Sequence, residues 1–356
     1  MKTIVCFIDD LCLGGAQRQL VGLASLLQER GYHVIVMTYH NDDFYKYILS
    51  NNNIQHIYKS SFEQIVTRIP SIAYEIRKIA PDVVISYQES PNLIACLSKV
   101  FVYRCKLLVS ERNATQRIQL NEKLRFFLYR FADAIIPNSH SQEIFLKNNY
   151  PNLIKSIHTI TNFVDTDYFI PSALPNKNRI ISVGRISPQK NILNYIRAAY
   201  LVVQNHRNII FEWFGNTDTP EYEAECHKLI RELQMERNFI FREATVDVLS
   251  EYQQSMALCL PSLYEGFPNV ICEAMSCGLP ILCSNICDNP YIVSSNDIGF
   301  LFNPHDINNI AEVIVGFLNL PSERKLQMRH RCRNIAVQSF SKTSFLKHYI
   351  DLIEHD

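Results

Sequence analysis

Glu265-Gly266-Phe267-Pro268-Asn269-Val270-Ile271-Cys272-Glu273 sets two carboxylates eight positions apart in a stretch that reads as a loop running into a helix. The preceding run, Ala257 to Ser262, is short, apolar and bounded by turn residues, as a buried parallel strand is. Pro268 falls where a helix begins and Gly278 where it stops. Glu265 then hangs in the strand-to-helix loop and Glu273 lies about one turn inside the helix. Both sit at the carboxyl end of one strand, where open α/β sheets bind ligands, and the backbone from Gly266 to Val270 offers amides to an anion. Carboxylates repel phosphates, so these two are suited to accepting hydrogen bonds from the hydroxyls of a sugar and a ribose.

Cations appear eighty residues earlier, where the strand Arg179 to Val183 leads into Gly184-Arg185-Ile186-Ser187-Pro188-Gln189-Lys190. Gly184 lets backbone approach closely, and Arg185 and Lys190 bracket the loop. A nucleoside diphosphate linked to a sugar carries about two negative charges, which one Arg and one Lys balance, and the same pair stabilises charge that builds as the sugar departs. The balance calls for no divalent metal and no other cofactor.

The elements that must hold these loops alternate along the chain. Strands are expected at Thr3 to Ile8, His33 to Tyr39, Ile54 to Tyr58, Val83 to Ser86, Lys106 to Ser110, Ala134 to Pro137 and Ile157 to Thr161, with helices between them. A polar stretch from Asp165 to Asn178 interrupts the periodicity and reads as a linker. A second round follows, with strands at Arg179 to Val183, Ile209 to Phe214, Phe239 to Arg242, Leu258 to Pro261 and Ile281 to Ser284. Three helices close the chain: Asp306 to Leu318, Ser322 to Gln338 and Lys342 to Ile353. Such alternation predicts doubly wound parallel sheets, and 356 residues suffice for two domains.

Gly184-Arg185 with Lys190, then Glu265 and Glu273, resemble the signature of the retaining glycosyltransferases of family 4, whose GT-B architecture has two facing Rossmann-like domains. Leu13-Gly14-Gly15-Ala16-Gln17-Arg18 is similar to that family's glycine-rich first loop, Ile136-Pro137-Asn138-Ser139 to a late strand end, and Ile160 to Phe169 to the interdomain stretch. Ser110-Glu111-Arg112-Asn113 and Glu265 to Asn269 resemble a bacterial subset that builds capsule, O-antigen and other lipid-linked surface glycans. The resemblance implies an acceptor domain over 1–165, a nucleotide-sugar domain over 166–340 and a helix over 341–356 returning to the first domain. It also implies sugar transfer from a donor, expected to be a UDP-sugar, to a hydroxyl of a lipid-linked or oligosaccharide acceptor with retained configuration. In that frame Glu273 receives the ribose, Glu265 orients the transferred sugar, Arg185 and Lys190 stabilise the leaving diphosphate, and the Gly15 amide meets a donor phosphate. Glu111 and Asn113 replace a histidine that many relatives carry and are candidates for sugar or acceptor contact, with a structural Glu111–Arg112 ion pair as the alternative. Gln88, Glu89 and Ser90 line the same edge.

Other classes are weighed on residues. Thirty-five basic and thirty-five acidic side chains cancel, which gives no support to a nucleic-acid binder. Gly14-Gly15 is not a dinucleotide fingerprint and no acid ends the second strand, against an oxidoreductase or epimerase. A non-catalytic nucleotide-sugar-binding subunit of an envelope assembly complex is the remaining rival. Asp165-Thr166-Asp167 has the spacing of a metal motif from the other large glycosyltransferase architecture, yet falls in the linker, so no metal is expected. The apolar runs are strand-sized and the amino terminus reads as a strand broken by two aspartates, not a signal peptide. Eleven cysteines without a Cys-x-x-Cys pair fit small core residues in a reducing compartment, hence a cytoplasmic location. The segment Arg117 to Arg130 mixes four cations with aromatic and aliphatic residues and is either a helix resting on an anionic membrane at its inner face or an ordinary helix packed on the sheet.

Overall fold

The computed structural model describes residues 1–99, 105–112, 120–172, 178–245 and 247–355, so Asn113 and Arg117 lie outside the described residues. The chain forms two compact units, Met1–Asn162 with Lys342–Asp356, and Phe163–Ser341.

The first unit carries β1 (Thr3–Ile8), β2 (His33–Thr38), β3 (Gln55–Ile57), β4 (Val83–Tyr87), β5 (Lys106–Glu111) and β6 (Ala134–Pro137). All are parallel, in the order β3-β2-β1-β4-β5-β6. The near-continuous apolar runs of β1 and β4 follow from helices covering both faces. Ile157 to Thr161 does not become a strand. Ile157 makes one bridge to Ile135, and the amides of His158 and Ile160 donate to the carbonyls of Ile135 and Pro137. Pro137 has no N–H to return a bond, so the ladder stops there. The helix Lys342–Glu354 belongs to this unit, burying Phe345, Tyr349 and Ile353 along one face. The Tyr349 and Tyr87 hydroxyls meet at 2.7 Å, and Glu354 accepts from Lys2 (2.8 Å) and Tyr32 (2.7 Å).

The second unit repeats the plan with β7 (Arg179–Val183), β8 (Ile210–Phe214), β9 (Phe239–Arg242), β10 (Ala257–Leu260), β11 (Ile281–Ser284) and β12 (Gly299–Phe302). The order β12-β11-β10-β7-β8-β9 is again parallel throughout. Renumbered within its unit, each sheet runs 3-2-1-4-5-6, with the reversal between β1 and β4 in one and between β7 and β10 in the other. Sequence reasoning did not foresee β12, a four-residue edge strand, nor the short helix Asn289–Val293. At the amino end of β7 the buried Arg179 guanidinium donates to Glu212 (2.5 Å) and Glu251 (2.7 Å), an ion-pair network that anchors β7 to β8 and to the helix Val248–Gln253. Among the described residues no helix is long and apolar enough to cross a membrane.

Candidate functional site

In the second unit the loops leaving β7 and β10 are stitched together. The Leu263 amide donates to the Gln189 carbonyl (2.8 Å), the Gln189 side chain to the Tyr264 carbonyl (2.8 Å), and the Asn191 side chain to the Pro261 carbonyl (3.2 Å). Asn191 takes the left-handed conformation (φ 58°), which asparagine tolerates better than most residues, and its carbonyl end starts the helix Ile192–Asn205. These bonds fix Lys190 against Glu265: Lys190 Nζ lies 2.6 Å from Glu265 Oε1, which also accepts from Ser262 Oγ at 2.5 Å. Glu265 is 8% exposed, so the pair is largely withdrawn from water and its charges offset each other. Gly184 (φ 154°) passes so close that a Cβ there would stand 3.0 Å from Lys190 Cε, and a Cβ on Gly215 would strike the Gly184 carbonyl at 2.0 Å. The glycines thus let two loops and a lysine stem share one small volume.

The other residues expected at this edge are placed less closely together. Arg185 is exposed and turned to Asp218, beyond β8, at 2.7 Å. Pro268 is the cap and not the first residue of the helix Asn269–Ser276. The Asn269 and Ile271 amides donate to the Phe267 and Pro268 carbonyls, which leaves Val270 as the early helix amide with no acceptor among the described residues. Phe267 packs its ring into the core against Phe340, so only its backbone faces outward chemistry. Glu273 is buried on the same helix and accepts from the Tyr252 hydroxyl at 3.2 Å. Ser262, Gln189, Asn191 and Tyr252 were not anticipated; a serine three residues before Glu265, in position to donate to it, was the available signal.

The first unit has a different set at its own reversal. Asp9 follows β1, Gln88 follows β4, and Gln88, oriented by its surroundings, donates to both Asp9 oxygens at 2.6 Å. Gln17, buried on the first helix, donates to Asp10 Oδ1 at 2.9 Å. Gln88 holds φ at 76°, strain of the sort that collects at functional loops. Burial, with Asp10 beside it, raises the pKa of the Asp9 carboxyl. Gly15 opens the helix Gly15–Glu29, and its amide has no acceptor among the described residues. The sequence showed the two aspartates only as interruptions of a strand.

Glu111 turns inward. Its carboxylate accepts from the Tyr129 hydroxyl and faces Arg125 at 3.4 Å, while Arg125 also reaches Glu89 at 2.8 Å. It is 1% exposed, and burial raises its pKa despite Arg125. The expected Glu111–Arg112 pair is not formed: Arg112 instead lies over the Tyr87 ring and bonds to Ser110 (3.2 Å) and Asn162. Of the basic side chains in 120–130, Arg125 is spent on the buried Glu111 and the exposed Glu89, whereas Lys123 and Arg130 are exposed. Asp165, first of the Asp-x-Asp pair, accepts the Asp167 and Tyr168 amides at 3.3 Å in a local turn.

Solved structures share this architecture over the whole chain. A glycosyltransferase from Rickettsia africae superposes with a TM-score of 0.86 at 19% identity, covering 99% of this chain and 98% of its own. Anabaena HepE in complex with UDP does so with 0.86 at 19%, covering 99% of each. Two doubly wound units of this form define the GT-B class of glycosyltransferases. The family model for glycosyl transferases group 1 matches residues 165–338, and that for glycosyltransferase family 4 matches residues 13–168. Between them the two models span residues 13–338, and the chain is a glycosyltransferase that joins a family 4 segment to a group 1 segment. Its relatives include a Campylobacter jejuni α-1,4-N-acetylgalactosaminyltransferase acting on a diphosphoundecaprenol-linked glycan, 25% identical with 98% of each chain covered. An Escherichia coli UDP-Gal:α-D-GlcNAc-diphosphoundecaprenol α-1,3-galactosyltransferase is 28% identical over 57% of this chain and 55% of its own.

Proposed function

We propose that this enzyme moves a hexose or N-acetylhexosamine from a UDP-sugar to a hydroxyl of a lipid-linked glycan, keeping the anomeric configuration, in bacterial surface polysaccharide synthesis. The observation that carries the donor assignment is the Lys190–Glu265 pair held at the reversal of the second sheet. Lys190 swings from Glu265 to the leaving diphosphate as its charge grows, and Glu265, released, accepts from hydroxyls of the transferred sugar. Arg185 needs only to leave an exposed partner, Asp218, a pair worth little in water. Glu273 takes the ribose hydroxyls, and the Val270 amide takes a phosphate oxygen. The bond from the anomeric carbon to phosphate breaks as the acceptor oxygen bonds to that carbon on the same face, and its proton passes to the released diphosphate. These cations do the work a divalent ion does elsewhere, so chelation with EDTA is expected to leave turnover unchanged.

On the acceptor side, Asp9 and Gln88 present a carboxylate and an amide suited to hydroxyls, where two aspartates disfavour phosphate. The relatives named for undecaprenol-linked acceptors support a lipid-linked substrate. The helix Leu120–Leu128 supports contact with an anionic membrane from the cytoplasmic side: Leu120, Leu124 and Phe127 lie exposed at 80%, 52% and 53%, flanked by Lys123 and Arg130. The reading is tested by incubating the enzyme with individual UDP-sugars and a polyprenyl-diphosphate-linked oligosaccharide, following UDP release and product mass. Donor-dependent glycosylation by wild type and its loss in Lys190→Ala are expected; no product with any UDP-sugar overturns the proposal.

A further inference from the structure

Away from the loops that hold Lys190 and Glu265, the second unit carries a half-open cavity of about 650 Å³. Met256 directly precedes β10 and Gly278 lies just before β11, so the cavity opens at the amino ends of the strands, the edge opposite the donor loops. One wall is a face of the helix Ser322–Phe340, on which Lys325, Arg329 and Arg333 recur every fourth residue with His330 beside them. None of the lining residues is acidic.

The same helix shows what its cations do where acids are near. Arg324 and Arg331, off this wall, both bond to Asp297. On the cavity wall no carboxylate pairs with Lys325, Arg329 or Arg333 among the described residues. Lys325 gives its ammonium to the Leu318 carbonyl at 2.7 Å. Arg333 Nη1 is taken by the carbonyls of Thr166, Phe169 and Ser276. Arg329 is left: its Nη1 is buried and has no acceptor. Burial holds this guanidinium below the usual arginine value, the direction expected of a charge short of a counter-ion. A half-buried guanidinium with a buried, unpaired Nη1 is matched best by a planar or tetrahedral oxyanion that takes two bonds at once. The volume exceeds that of a bare phosphate and lies in the range of small-ligand sites, and Met256, Pro171 and Leu326 give it an apolar side.

We infer that this cavity is a second ligand site, binding a phosphomonoester of a small polar body such as a hexose phosphate, with Arg329 as the phosphate anchor. Lys325 and Arg333 add positive potential, and Ser322 and Asn334 offer partners to hydroxyls. The site is separate from the donor site in residues and in the sheet edge it uses. It therefore stands or falls independently of the function proposed above.

The test is isothermal titration of the full chain with hexose 6-phosphate and, separately, with inorganic phosphate. Wild type and Lys190→Ala are expected to bind hexose 6-phosphate equally, one per chain, and inorganic phosphate more weakly. Arg329→Gln is expected to bind about tenfold to a hundredfold more weakly, the loss of a hydrogen-bonded charge. Leu326→Trp narrows the mouth from an exposed position without removing a buried group, and is expected to weaken binding while the melting temperature stays put. Failure of wild type to bind, full binding by Arg329→Gln, loss of binding in Lys190→Ala, or equal affinity for inorganic phosphate would each overturn the assignment.

Discussion

The two sheets share one topology, so their reversal points are the same place built twice, with opposite chemistry. In the second unit the loops there hold a lysine, an exposed arginine and a glutamate locked to the lysine. In the first they hold two aspartates with glutamine side chains laid against them and, among the described residues, no cation bonded to Asp9. The fold supplies the position at a strand's carboxyl end and the free amides of the following helix in both; side chains decide which anion or hydroxyl each edge accepts. In the function proposed above, a diphosphate is favoured where Lys190 can exchange its carboxylate partner for a phosphate oxygen, and is repelled beside Asp9 and Asp10.

This contrast can be broken or sharpened by substitution. Lys190→Ala should lower turnover by about 10²- to 10³-fold, as loss of a donor to developing charge does elsewhere; a residual rate near wild type at saturating donor would erase the distinction between the two edges. Glu273→Gln should raise the donor Michaelis constant about tenfold with little change for acceptor, from one weakened charged hydrogen bond. Asp9→Asn should show the mirror pattern, weakening acceptor use several-fold, roughly one hydrogen bond's worth, while UDP affinity holds. Its pH dependence gives a second reading. Since burial raises the pKa of Asp9 in the native state, its ionised form costs stability above that pKa, and the cost is relieved as pH falls and the native state takes up the proton first. Any stability advantage of Asp9→Asn over wild type in urea titrations should therefore shrink between neutral and mildly acid pH. The smallest effect is expected from Arg185→Ala on folding, below about 1 kcal/mol, because its pair with Asp218 is exposed.

Strands of continuous apolar residues were legible from the sequence, since a run such as Ile4 to Ile8 has no other economical burial. Four-residue edge strands were not: β12, Gly299–Phe302, carries too short a pattern to distinguish from a loop. The edge that holds Lys190 and Glu265 was legible in residue types and not in their pairing. That Lys190 would spend its charge on Glu265 depends on loops seventy-five residues apart being sewn together, which no local pattern reports. Glu111 shows the converse. In sequence it read as a sugar or acceptor contact or as half of a structural pair with Arg112, but Arg125 and Tyr129 come over from the next helical segment and enclose it. The same displacement removes Arg125 from the face that remains exposed on the helix Leu120–Leu128.

The position of the helix Lys342–Glu354 bears on how the chain is made. Its buried tyrosine completes the packing over Tyr87, yet it is translated roughly 180 residues after the rest of its unit, about 10 to 36 s later at ordinary elongation rates. During that interval the second unit is synthesised up to its last residue, Ser341, while the first waits with one face uncovered. Ribosome-bound nascent chains should therefore acquire protease resistance out of order, the later-synthesised unit first.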